Sequence, residues 1–370
     1  MTEFTGAFPA PVWTPPAREP FLPLRPLTLG QILSGAFRAL RHNPAVTLGP
    51  AIVVSLAATG GSVAFARLVV DPLLMTSGSS VGADALYAWL AAFGAGALGW
   101  VIERSLSIGA GVLQQGVSAI DVAHAVVGRR LTPGGFRRRT LGIRAPLVAW
   151  TAMVTLACAV LGGIGVALIG AVALADPGLG VLTGFTVGAG IAVLLGWLGT
   201  KLALVPSALV VERLRLGAGI ARSWRLTRGG FWRIFGIRLL CWTMIWLAAM
   251  LVAVPVQLIA QWFTGILAGN GDIGDYLAVT AVGEVVAGVV AAVIGAIGLV
   301  VTTSTDAILY LDLRMRREGL DLELTRFMER RRPTTRFDPE EADPFRPPAD
   351  IARSDIRPSA TAPARGTAWG

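Results

Sequence analysis

A charge inside a long apolar run costs several kcal/mol in hydrocarbon unless it is paired or hydrated, so such residues are where chemistry would sit. Glu103, Arg104, Lys201 and Glu284 lie inside apolar runs of this 370-residue sequence, with Asp306 at the edge of the last run. Binding or passage of an ion or ligand is the chemistry open to this candidate intramembrane polar site. A structural role competes with it, because adjacent Glu103 and Arg104 can neutralise each other while snorkelling toward water. Lys201 and Glu284 fall at different depths, which argues against a direct pair, although Pro206 could kink its run and move Lys201.

Catalysis lacks its residues. His42 stands beside Asn43-Pro44, and His124 has only Asp121 near it, a spacing common by chance. Cys158 and Cys241 fall in apolar runs and read as packing residues, not as a disulfide or metal pair. There is no nucleophile elbow or Cys/His pairing. The expectation is a non-enzyme without catalytic, cofactor-binding or metal residues.

Composition sets the elements that hold these residues. The chain is 54% hydrophobic and 15% charged, with a mean hydropathy of +0.65; soluble domains carry roughly 25% charged residues. Six apolar runs, near 45–70, 86–112, 146–175, 179–211, 235–263 and 277–305, each exceed the roughly 20 residues that cross a bilayer. The predicted fold is an all-α integral membrane protein with six transmembrane helices in three hairpins. Residues 1–26 hold seven prolines and predict a disordered arm, 27–332 the membrane domain, and 333–370 a second disordered segment.

Arginine orients the spans. The net charge of +9 comes from 31 Arg and one Lys. Arg18, Arg25, Arg38 and Arg41 precede the first span, Arg129 to Arg144 follow the second, Arg213 to Arg233 follow the fourth, and Arg314, Arg316 and Arg317 follow the sixth. Alternate connections carry mainly Asp71, Asp84, Asp176, Asp272 and Asp275. The positive-inside rule therefore predicts both termini in the cytoplasm, in a plasma membrane. With no soluble basic module, the expected partners are anionic lipid headgroups, not nucleic acid.

Leu29, Ile32, Leu33, Ala36, Phe37 and Leu40 recur at helical spacing, which predicts an amphipathic helix over 28–42 in the headgroup plane. Thr28 and Gln31 have capping-box spacing, Leu27 and Ile32 can staple the start, and Asn43-Pro44 ends the helix. Residues 27–49 superpose without a gap on 214–236: Leu27, Leu29 and Gly30 match Leu214, Leu216 and Gly217, Phe37-Arg38 matches Trp224-Arg225, and Arg41 matches Arg228. This predicts a second interfacial helix over 216–228 and an internal repeat. Gly135-Phe136-Arg137 is a candidate middle copy whose spacing does not superpose. Arg38, Arg41, Arg222, Arg225 and Arg228 are the candidate lipid-headgroup contacts. Inside the bilayer, Gly184, Gly188, Ala192, Gly196 and Thr200 form one ridge for close packing, and Gly283, Ala287, Ala291 and Gly295 another.

The segments Leu27-Thr28-Leu29-Gly30-Gln31-Ile32-Leu33, Pro206-Ser207-Ala208-Leu209-Val210-Val211-Glu212, Ser223-Trp224-Arg225-Leu226-Thr227-Arg228 and Tyr310-Leu311-Asp312-Leu313-Arg314-Met315-Arg316-Arg317 carry a resemblance. They resemble actinobacterial membrane proteins of the glycerophosphoryl diester phosphodiesterase membrane domain type. The resemblance spans roughly residues 24–326 and implies a membrane region alone, without the soluble metal-dependent barrel that the name evokes. Taken together, these features predict a scaffold or envelope-associated assembly factor. The alternative is a permease or carrier for a small or lipid-like anionic molecule, which broken helices or inverted repeats would favour.

Overall fold

The computed structural model describes residues 21–72, 83–126, 144–268, 273–330 and 345. Every regular element among them is helical: α1 (Leu29–His42), α2 (Pro44–Phe65) extended by a π-helical turn (Ala66–Val70), α3 (Ala83–Val126), α4 (Arg144–Ala175), α5 (Pro177–Leu202), α6 (Val205–Val211), α7 (Leu216–Thr227), α8 (Phe231–Ala268), α9 (Ile273–Glu318) and α10 (Leu320–Arg330). Among the described residues, five stretches are long and apolar enough to cross a bilayer: Pro44–Val69, Ala145–Ala175, Gly178–Val211, Phe231–Phe263 and Val282–Glu318. The run expected at 86–112 lies within α3 and is not one of the five. Arm residues 1–20, the candidate middle copy at Gly135-Phe136-Arg137 and the second disordered segment apart from Phe345 lie outside the described residues.

Two helices outrun their apolar stretches. At 1.5 Å per residue, the 44 residues of α3 and the 46 of α9 reach about 66 Å and 69 Å, against a hydrocarbon core of roughly 30 Å. The surplus lies at the Arg-rich end, where Gln114, Gln115, Ser118 and Asp121 of α3 and Asp306, Asp312 and Arg314 of α9 are buried, next to buried Thr303, Ser304 and Thr305 at the end of the last run. Partners make this burial tolerable: Ser118 and Thr303 hydroxyls lie 2.8 Å apart, and Gln114 Nε2 donates to the Thr47 carbonyl at 2.8 Å. Both helices therefore continue beyond the apolar runs on polar residues that are satisfied inside the protein.

The capping box forms as predicted, with Gln31 N–H donating to Thr28 Oγ1 and Thr28 N–H to Gln31 Oε1. The repeat holds its register: α1 and α7 start at matched residues Leu29 and Leu216, and α2 and α8 at matched Pro44 and Phe231. Ile32, Ala36 and Ala39 are buried, and so are their counterparts Gly219, Ser223 and Leu226. Protein, rather than lipid, covers this face of α1. Leu22, Ile32, Ala36 and Ala39 join Ile308 and Leu311 in the main core, leaving Leu29 and Phe37 exposed beside Arg38 and Arg41. Burial of Leu22 also makes the last part of the expected free arm a packed segment.

Small residues of the expected ridges serve packing in part: Gly184, Gly196 and Gly295 each lie within 4 Å of a neighbouring helix's side chain, and Thr200 is buried. On α9 both Gly295 of the expected ridge and Gly288, from the neighbouring row, meet α2: added Cβ atoms would lie 3.7 Å from Ser55 Oγ and 3.4 Å from Thr59, and Ala292 and Ala296 of that second row are buried. Gly188 and Ala192 of α5 face outward. The tightest approach to backbone is the α4–α5 turn, where a Cβ on Gly180 would lie 2.7 Å from the Ala173 Cα. Backbone cannot yield there, so Gly180→Ala is expected to destabilise the hairpin by about 1–3 kcal/mol, read as a lowered melting temperature in detergent.

Candidate functional site

The fourth apolar run does not form one helix. It opens at Ala203–Leu204 between α5 and α6, with Pro206 in the first turn of α6, where a missing N–H is tolerated. All seven α6 residues are buried, so the carbonyls near the break need partners inside the protein. Three side chains supply them: Arg238 donates to the Gly199 carbonyl at 2.7 Å, Ser223 to Lys201 at 2.8 Å, and Gln115 to Ala203.

Beside this break lies a cavity of about 400 Å³. Four helices wall it: α3 with Gln115, α5 with Gly196 and Thr200, α8 with Arg238, Cys241 and Trp242, and α9 with Thr303 and Asp306. Arg238 Nε stands 3.0 Å from Asp306 Oδ1 in an ion pair whose carboxylate side is 9% exposed and whose guanidinium side is 32% exposed. With Nε on Asp306 and Nη1 on Gly199, Nη2 has no protein partner among the described residues. Leu239 and Trp242 on the same wall are 48% and 58% exposed. The cavity is thus polar at its inner end and opens on an apolar flank. A half-satisfied guanidinium fork suits a carboxylate, sulfonate or phosphate, and the flank suits an acyl chain.

No family model, curated protein or solved structure matches this chain. The site must therefore be read from its own geometry.

The residues expected to share one polar site are dispersed. Lys201 Nζ lies 5.3 Å from the Trp224 ring centroid and 5.7 Å from that of Phe231, in an aromatic belt with Trp197. Glu284 pairs with Arg67, which also reaches Asp71 at 3.1 Å. Glu103 pairs with Arg104 at 3.2 Å, and Arg104 lies over Trp100. None of the four lines the cavity. Arg238 lies inside the run at 235–263 near its basic end, where a lone Arg has the sequence appearance of a snorkelling residue. His42 Nδ1 lies 3.6 Å from Asp121, and His124 Nδ1 lies 2.7 Å from the Ile120 carbonyl oxygen. Among the described residues no three His, Cys, Asp or Glu side chains converge.

The arginines expected on lipid divide. Arg38, Arg41, Arg225 and Arg228 are exposed, Arg38 also donating to the Phe21 carbonyl at 3.1 Å. Arg222 instead turns inward to Glu212 at 2.9 Å and Glu318 at 2.6 Å. Burial opposes its charge, but Glu212 and Glu318 outweigh that and raise the Arg222 pKa, fixing it as a cation. Tyr310 also donates to Glu212, and Arg314 bridges Glu212 and Glu318 at 3.5 and 3.2 Å. A second hub grips the N-terminal segment: Asp312 accepts from Leu27 N–H at 2.7 Å, Arg233 at 2.8 Å and Arg316 at 3.0 Å. Both arginines also donate to the Leu27 carbonyl. The two flanks of the membrane domain therefore meet at one end of the bundle.

Proposed function

We propose that this protein is a multi-pass carrier of a bacterial plasma membrane, with six spans and cytoplasmic termini, that takes a lipid-like anion at Arg238. One observation carries this reading: a helix interrupted at Ala203–Leu204 adjoins a half-buried ion pair and a cavity that opens on an apolar flank. Broken helices and charges at membrane depth mark binding sites in transporters, since exposed backbone is tolerated there only beside a cavity or within protein. The Arg-rich end is read as cytoplasmic, and no enzymatic step is invoked. The resemblance to the phosphodiesterase-type membrane domain is kept as a proposal about ancestry and adds no activity.

The test is transbilayer movement of a fluorescent phosphatidylglycerol analogue in proteoliposomes. Wild-type protein is expected to exceed protein-free vesicles. Arg238→Gln should slow the movement at least about tenfold, as for loss of a charge-assisted contact of about 1.5–3 kcal/mol. Equal rates in wild type and variant would sink the carrier reading. A scaffold role rests on a different observation, the exposed Leu29, Phe37, Arg38 and Arg41 face of α1, which could engage lipid or a partner. It predicts no movement above protein-free vesicles.

A further inference from the structure

We infer, on the carrier reading above, that an anion binding at Arg238 displaces Asp306, which takes up one proton, so that anion and proton occupy the site together.

Charge balance at the cavity leads to this coupling. Without ligand, Arg238 and Asp306 form a neutral pair, and among the described residues three titratable groups line the cavity: Arg238 and Cys241 from α8 and Asp306 from α9. The other walls bring neutral groups alone, Gln115 from α3, Thr200 from α5, and Thr302, Thr303 and Thr305 from α9 itself. An anion seated on the guanidinium would place two negative charges around one positive charge in an apolar setting. Among the described residues no second cation lines the cavity to offset the surplus, since Lys201 is held over Trp224 and Phe231 and Arg233 on Asp312. A buried carboxylate that loses its counter-ion is relieved by protonation.

The step balances. The Arg238–Asp306 ion pair, the incoming anion and one proton become an Arg238–anion pair and a neutral Asp306 carboxylic acid, with no other bond made or broken. Both states of the cavity are neutral. Movement of the loaded site through hydrocarbon then carries no net charge, which lowers the barrier that an unpaired ion would meet. Gly199, whose carbonyl holds Arg238 Nη1 next to the helix break, keeps the guanidinium in place while its partner changes.

The experiment uses the full chain in nanodiscs and decanesulfonate, an amphiphilic anion whose own charge is constant over the range studied. Binding is measured from about pH 5 to about pH 8 for wild type, Asp306→Asn and Arg238→Gln. The bound state holds the extra proton, so wild-type affinity should fall as pH rises, with a limiting slope of about tenfold per pH unit for one linked proton. Asp306→Asn should bind tightly at every pH with the slope gone. Adding decanesulfonate to weakly buffered wild-type nanodiscs should also withdraw about one proton per ligand bound, a readout that needs no variant. A flat wild-type affinity, an unchanged slope in Asp306→Asn, or no proton withdrawal overturns the coupling. If Arg238→Gln still abolishes binding in that case, the carrier reading survives; if Arg238→Gln binds like wild type, the carrier reading fails as well.

Discussion

Asp312→Ala is expected to be among the most damaging single changes in the chain, lowering stability by about 3–5 kcal/mol. Its carboxylate is fully buried and receives the Leu27 amide together with Arg233 and Arg316. Deleting it leaves two guanidinium groups and one backbone N–H without their acceptor at the place where the N-terminal segment meets α9. Thermal unfolding followed by size-exclusion profile should show a sharp loss of melting temperature and of monodisperse protein. Asp312→Asn keeps one acceptor oxygen and should fall between wild type and alanine. A melting temperature within a degree or so of wild type for Asp312→Ala would mean that the hub does not hold the flanks together.

Arg222→Glu is expected to collapse accumulation, whereas Arg225→Glu and Arg228→Glu are expected to leave the fold intact. The sequence groups the three as headgroup contacts; their surroundings separate them. Glu212 is 2% exposed and has Arg222 as its closest cation, with Arg314 at 3.5 Å. A glutamate at 222 would face Glu212 and Glu318 together, uncompensating a buried charge and adding repulsion, an effect of several kcal/mol. At the two exposed positions the change acts only on attraction to anionic lipid, about 1 kcal/mol for each residue. Purified yield and flotation with phosphatidylglycerol vesicles separate the two classes. Equal yields for all three variants would restore the headgroup reading for Arg222.

Apolar length was legible in the sequence: 146–175 corresponds to α4 almost residue for residue, because no buried polar group interrupts it. Local chemistry was legible too, as Thr28, Gln31 and the matched starts at Leu29 and Leu216 demonstrate. Three things were hidden because they depend on partners distant in sequence. Gln114, Ser118 and Asp312 fall outside the apolar runs, and their burial is explained only by Thr47, Thr303 and Arg233 beside them. The stripe on α1 carried no sign that α9 would cover it in place of lipid. Pro206 signalled a disturbance, but the interruption at Ala203–Leu204 becomes tolerable only once Arg238, Ser223 and Gln115 occupy the nearby carbonyls, and those residues come from α8, α7 and α3. Arg238 itself stood in plain view within an apolar run. Its significance came from the cavity, the carboxylate opposite, and the unfilled half of its fork.

The most direct test of the central claim is native mass spectrometry of the protein extracted into lipid nanodiscs, comparing wild type with Arg238→Gln and with Lys201→Met. An anionic amphiphile retained by wild type and by Lys201→Met, and lost from Arg238→Gln, is the predicted result. Retention by all three, or loss only when Lys201 is replaced, would contradict the placement of the ligand at Arg238.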